Sequence, residues 1–182
     1  MTDRLSDIKI ATLTKKVMSN IVGKLVEMDM TYIQEMGSEF CTFPWNEENY
    51  LLDLEGKWSL SQIAKIDSAV IGGWIASCTV PQVCHSHRVL VAPHFRSSGV
   101  AKKMYSCVET KAKEKRLERM TVEASVLNER AKSFYEDLGF IKQGRLNIRD
   151  YLISRGRTAQ VHHDCLEEND GSRYCVFIKE LL

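Results

Sequence analysis

The chain has 182 residues, enough for one domain with a sizeable core, and its 44% hydrophobic and 27% charged residues are ordinary for a soluble globular protein. A formal net charge of +1 excludes any global argument for a nucleic-acid or membrane-surface partner. Cys41, Cys78, Cys84, Cys107, Cys165 and Cys175 form no C-x-x-C pair, and neither a basic-then-apolar leader nor an apolar run of about eighteen residues is present, so a reduced, cytoplasmic, soluble protein is expected.

Residues 8–13 alternate weakly and read as a first strand. From 14 to 36, Val17, Ile21, Leu25, Met28, Tyr32 and Ile33 keep helical spacing, giving one long helix or two abutting ones, broken at Gly37-Ser38. An aromatic and then acidic stretch follows, with Phe43-Pro44-Trp45 at its centre, and Asn46 is placed to start a short helix through Leu54. Residues 58–66 alternate as a half-buried strand, Asp67-Ser68 turns, and 69–79 return, so a hairpin is expected. Gly72-Gly73 within that strand marks a bulge, a close backbone approach or simply a weak point.

The next apolar run, residues 84–92, is a strand ending in Val89-Leu90-Val91, and Pro93 stops its pairing because proline has no N–H to donate. Arg96-Ser97-Ser98-Gly99-Val100-Ala101 makes a small-residue turn directly before a helix over 100–115, where Val100, Met104 and Val108 recur every four residues. Free backbone N–H groups and the positive helix end converge there, which is the chemistry of a phosphate site. Residues 93–119 carry eight Lys or Arg against three Glu, which suits a polyanionic ligand as well as a solvated helix face. Residues 120–124 read as a short strand, Asn128 as an N-cap, Ala131, Phe134, Tyr135 and Leu138 as a buried helical stripe, and Gly139 as its stop. Residues 140–148 and 174–181 are expected as strands. Between them, His162-His163-Asp164-Cys165 is sequential rather than spaced like a metal site and reads as a polar loop, so no metal is assigned.

The turn fits neither the dinucleotide fingerprint nor the P-loop. Arg96-x-x-Gly99-x-Ala101, preceded by Val91-x-Pro93 and followed by Asn128-x-x-Ala131-x-x-Phe134-Tyr135-x-x-x-Gly139-Phe140, resembles the acetyl-CoA segment of the GNAT superfamily of N-acetyltransferases, over roughly residues 84 to 141. The resemblance implies a single α/β (α+β) domain over 1–182, with a mixed sheet of about seven strands and about four helices. Two neighbouring parallel strands would splay to admit the pantetheine arm of acetyl-CoA, the cosubstrate. Ala101 stands where the family usually has a second glycine. The 153–172 stretch is an atypical loop insertion.

Amine acetylation needs a base, because an unaided amine with a pKa of about 8 to 10 is mostly protonated at neutral pH. It also needs oxyanion donors and an acid for the leaving thiolate. The resemblance assigns the base to Glu123, whose alternative is a solvent-facing glutamate, and the acid to Tyr135, whose alternative is core packing. It places Val89, Leu90 and Val91 along the pantetheine, with the Val91 N–H on the thioester oxygen. Arg96, Ser97, Ser98, Gly99, Val100, Ala101 and Lys102 wrap the pyrophosphate, and Asn128, Ala131, Phe134 and Tyr135 complete the cofactor side. Phe43, Trp45 and Tyr151, by likeness to the bacterial ribosomal-protein N-terminal alanine acetyltransferases, would meet the acceptor. No cysteine has a nucleophile's setting, so direct attack in a ternary complex is expected. The acceptor would be a protein or peptide α-amine; a small-molecule amine (an amino sugar, polyamine or antibiotic-like compound) and a non-catalytic acyl-CoA-binding role remain as alternatives, and a homodimer stays open.

Overall fold

The computed structural model describes residues 7–37 and 44–181. Strand β1 (Lys9–Thr12) leads into helix α1 (Lys15–Met36), one continuous helix. Its start is set by Thr14, whose side chain accepts the Val17 N–H, and Gly37 ends it at φ 87° with its N–H on the Ile33 carbonyl. Met18, Val22, Leu25 and Met28 recur on one face and are buried. Helix α2 (Glu47–Leu51) is opened by a reciprocal Asn46–Asn49 capping pair.

The expected strand from Trp58 starts later. Gly56, in the left-handed region at φ 72°, turns the chain into a short helix α3 (Lys57–Leu60), which carries Trp58. Lys57 is wholly buried there and donates to the carbonyls of Tyr50 and Leu52, at 2.7 and 2.6 Å, so one lysine ties off the end of α2. Strands β2 (Gln62–Ile66) and β3 (Ala69–Val80) then form the expected hairpin about Asp67-Ser68. The two glycines of β3 serve close packing on both faces. A Cβ at Gly72 would lie 3.1 Å from the Leu90 carbonyl and from Met104 Cε, and one at Gly73 would lie 3.1 Å from Leu25.

The chain continues through β4 (Val83–Val91), a 3₁₀ turn at Pro93–Phe95, α4 (Val100–Glu114), β5 (Arg119–Ser125) and α5 (Glu129–Asp137). Residues 140–148 were expected as a strand. Instead β6 is two residues, Ile141–Lys142, and Gly144 opens helix α6 (Arg145–Ser154). The reason lies in packing: Ile148, Tyr151 and Leu152 share a helical face and are buried on Leu166 and Val176. The 153–172 stretch is likewise ordered, as a hairpin of β7 (Gln160–His162) and β8 (Cys165–Glu167) that runs on into β9 (Arg173–Glu180).

The sheet order is β1-β2-β3-β4-β5-β9-β8-β7, with β6 added on β9. Among the described residues this makes nine strands and six α-helices, two of them very short, against the expected seven and four. All pairings are antiparallel except β4 with β5. The largest core lies between the sheet and α4 and α5, around Trp74, Met104, Met120, Tyr135 and Phe177. A second core sits under α1 on the opposite face, around Leu25, Ile63, Ile75 and Leu90.

Candidate functional site: a cleft where two parallel strands part

The parallel ladder joins Val83–Ser86 of β4 to Arg119–Val122 of β5 and stops there, although β4 runs on to Val91 and β5 to Ser125. The cause is a bulge. Across β3, Ile75 pairs with Arg88 and Ala76 with Ser86, which leaves His87 as an extra residue that bends β4 away. Beyond it, Ala92 N–H bonds the Ile71 carbonyl at 2.9 Å. Hydrogen-bonded pairs alternate along an antiparallel ladder, so Leu90 spends its backbone groups on β3, while the N–H groups of Val89 and Val91 point into the gap. Val89 and Val91 thus turn their donors to the gap, whereas Leu90 offers it a side chain only.

Two adjoining clefts open from this gap and share Tyr32, Val89, Leu90, Asn128, Ala131 and Tyr135. One, of about 370 Å³, runs past Val91 and Phe134 to the turn, where Arg96, Ser97, Gly99, Val100, Ala101 and Lys102 line it. Gly99 caps α4 at φ 84°, no side chain caps that helix end, and among the described residues nothing lies within 4 Å of a Cβ built there. The first N–H groups of α4 are therefore free to meet an anion, and a Cβ would project into the space the anion needs. Ser98 lies outside the lining; its hydroxyl donates to the Phe95 carbonyl at 2.6 Å and holds the turn closed. Arg96 lines the cleft while donating to the Val91 carbonyl and pairing with Glu35 of α1, so it also braces the turn. Arg130 of α5, not singled out in the sequence, reaches the turn through a 3.2 Å bond to the Ser97 hydroxyl and lines the cleft. These residues fit a pyrophosphate on a helix N-terminus.

Asn128 is the N-cap that the sequence predicts, and it lines both clefts. Its Oδ1 caps α5 by accepting the Ala131 N–H, and its Nδ2 donates to the Tyr32 hydroxyl at 2.6 Å, tying α5 to α1 across the gap. Tyr135 is buried among Phe134, Phe140 and Phe177 and also lines both clefts. Burial, with Tyr32 nearby, raises its phenol pKa, so it keeps its proton at neutral pH.

The other cleft, of about 600 Å³, is walled by Trp45, His87, Arg88, Glu123 and the Glu168-Asn169-Asp170 turn. Phe43 lies outside the described residues. Glu123 sits on the β5 face opposite the α4 core, as strand alternation requires. The Tyr151 hydroxyl donates to its Oε1 at 2.5 Å, and Arg157 pairs with the same oxygen while its other nitrogen pairs with Glu168. Both contacts fall on Oε1; Oε2 receives neither. Tyr151 is buried and lies behind Glu123, not on this cleft.

Several residues here carried no local signal. Asp29 of α1, fully buried, binds Arg88 of β4 at 2.5 Å and accepts the Trp45 N–H at 2.6 Å, which seats the aromatic loop against the gap. His85 bonds Thr121, and His87 bonds Ser77 at 2.7 Å. Burial, then Arg155 and Lys57, lowers the His87 pKa to about 4, and burial lowers that of His85 well below its usual value, so both rings are neutral near pH 7. Cys78, Cys84, Cys107, Cys165 and Cys175 are free thiols, and burial pushes Cys84 up to about 12. Among the described residues no helix is long and apolar enough to cross a membrane.

The profile of the Acetyltransferase (GNAT) family matches residues 30–140. Among solved structures, the chain is similar to Ard1 from Thermoplasma volcanium with a TM-score of 0.71 at 16% identity, covering 97% of this chain and 99% of that one. It is similar to the ribosomal-protein alanine N-acetyltransferase from Escherichia coli with a TM-score of 0.66 at 14% identity, covering 96% and 94%. A putative acetyltransferase from Salmonella typhimurium with acetyl-CoA as its cofactor has a TM-score of 0.67 at 13% identity, covering 97% and 95%. No curated protein sequence matches the chain.

Proposed function

The chain belongs to the GNAT acetyltransferase family and has its fold, and from that premise we propose that it transfers acetyl from acetyl-CoA to a primary amine by direct attack in a ternary complex. The observation that carries this reading is the continuity of the two clefts through the β4–β5 gap, from the α4 N-terminus to Glu123. Bound acetyl-CoA supplies the thioester that the amine attacks. Lys102, Arg130 and the α4 N–H groups hold its phosphates, and Val89 and Val91 present N–H groups along the gap, Val91 serving the developing oxyanion.

Glu123 takes the amine proton on Oε2, directly or through a water, while Tyr151 and Arg157 hold Oε1 and fix the carboxylate's direction. Tyr135 is the acid. Burial keeps its phenol protonated at neutral pH, so a proton is present for the departing thiolate. Cys107 is half-buried within α4 and Cys84 is held as a thiol, which supports direct attack over an acetyl-enzyme. The free thiols suit a reducing compartment, where we place the protein.

The acceptor is read first as a peptide or protein α-amine, because Trp45 lies on the acceptor cleft. A small-molecule amine is the second reading, favoured by the ordered 153–172 segment that closes one side of the cleft. Thiol release from acetyl-CoA across a panel of peptides and small amines tests the function. An acetyl-CoA-dependent rise in Tm without thiol release from any amine would reduce the protein to a binder.

A further inference from the structure

Behind Tyr151 lies a third cavity, of about 830 Å³, larger than either cleft. It sits between α6 and the end of the sheet where β5 begins, and among the described residues it shares no lining residue with the two clefts. Val80, Val83, Ile141 and Ile178 give it apolar walls. Tyr151 also lines it, while the Tyr151 hydroxyl bonds Glu123 on the acceptor cleft, so one residue stands between the two spaces.

The charged residues of the lining are Arg119, Asp150, Arg155, Lys179 and Glu180. Arg119 faces Glu180 at 4.0 Å, and Lys179 pairs with Glu109 at 2.9 Å while donating to the Tyr105 hydroxyl and the Leu138 carbonyl. Asp150 is exposed on α6. Arg155 differs from all of these. Its Nε and Nη1 are buried and meet no hydrogen-bond partner among the described residues, and its guanidinium lies over the Tyr151 ring, 5.5 Å from the centroid. Burial first, then the Arg155 charge, lowers the pKa of His85 and of His87, and the same charge opposes the rise that burial and Glu123 cause at Tyr151. The charge is thus felt inside the fold, where donors left without acceptors are costly.

We infer that this cavity binds an organic carboxylate with an apolar body, held through its carboxylate by Arg155, at a site separate from both clefts of the transferase reading. The planar guanidinium matches a carboxylate, and the apolar walls favour an acyl or aryl acid over a bare inorganic anion. Arg155 as a whole is only half-buried, so a rotation of its side chain offers the two nitrogens to the ligand. The ligand lies behind Glu123 rather than in front of it, and is an effector rather than the acceptor.

The test is calorimetric titration of the full chain with benzoate and hexanoate, each set against its uncharged amide, with CoA in excess to fill the α4 turn. Benzoate or hexanoate should bind with a Kd of about 1 mM or tighter, and at least about tenfold more tightly than its amide. Arg155→Gln should weaken that binding about tenfold or more, and Arg155→Lys should restore it only in part. Asn147→Trp, at an exposed position of the lining, should block the cavity with Arg155 in place, and decides the matter if Arg155→Gln does not fold. No binding of either acid, equal binding of acid and amide, or binding retained in a folded Arg155→Gln or Asn147→Trp protein overturns the inference. CoA binding is titrated separately; its failure counts against the transferase reading and leaves this site standing. Where transfer is observed, the acid should not compete with the amine, and strict competition would put it in the acceptor cleft and overturn the inference.

Discussion

Tyr151 and Glu123, 28 residues apart in sequence, meet across a 2.5 Å hydrogen bond in which the phenol donates to Oε1 of the carboxylate. Burial and the Glu123 charge raise the Tyr151 pKa, so it stays a donor throughout the working pH range. In the proposed mechanism Tyr151 is therefore a positioning residue, and Glu123 is the group on the cleft. Tyr151→Phe should lower kcat several-fold and move the lower limb of the pH–rate profile, with the KM for acetyl-CoA unchanged. Glu123→Gln should cost on the order of a hundredfold at neutral pH and recover in part at high pH, where the amine is already deprotonated. A Glu123→Gln profile parallel to the parent's at every pH would remove Glu123 from proton transfer.

Tyr135→Phe keeps the ring that packs on Phe140 and Phe177 and removes only the hydroxyl. Its kcat should fall between roughly tenfold and several hundredfold, with little change in acetyl-CoA affinity. Full activity would leave Tyr135 as core packing.

At Gly99 a side chain would have room but not a comfortable backbone, since φ is 84°. Gly99→Trp should fold, lose roughly 1 to 2 kcal/mol of stability to the left-handed backbone, and fail to bind CoA in calorimetry. Binding by a folded Gly99→Trp protein would move the phosphate site away from this turn.

Asp29 is wholly buried beside Arg88, and Asp29→Ala would take a buried carboxylate from that guanidinium and an acceptor from the Trp45 N–H. The loss should be about 3 to 5 kcal/mol, read by urea unfolding. The milder Trp45→Ala should raise the acceptor KM much more than the acetyl-CoA KM. Equal changes in both would take Trp45 off the acceptor side.

His87 titrates at about 4 when folded, against 6.5 for the free side chain. As pH falls from 6.5 to 4 the unfolded chain gains this proton and the folded chain does not, so stability declines across that window and levels off below it. The contribution is up to roughly 3 kcal/mol. His87→Gln should flatten the fall of Tm between pH 6.5 and 4; a slope identical to the parent's would show that other groups govern the acid limb.

The sequence by itself determined whatever is written in contiguous windows. Arg96–Ala101 reads as an anion turn because a small-residue run before an amphipathic helix has one electrostatic consequence wherever it sits. Asn128 reads as a cap, and the spacing of Val100, Met104 and Val108 as a buried helix face, for equally local reasons. The 140–148 stretch misled because its helix is anchored by contacts to β8 and β9, which lie beyond it in the chain. Tertiary structure alone decided the bulge at His87, since an extra residue is visible only against a partner strand. It alone decided which charges meet: Arg88 pairs with Asp29 59 positions away, and Arg157 with Glu123 34 positions away. Charges in a sequence can be counted, but their cancellation depends on distance and burial, and the pairings that set those are long-range.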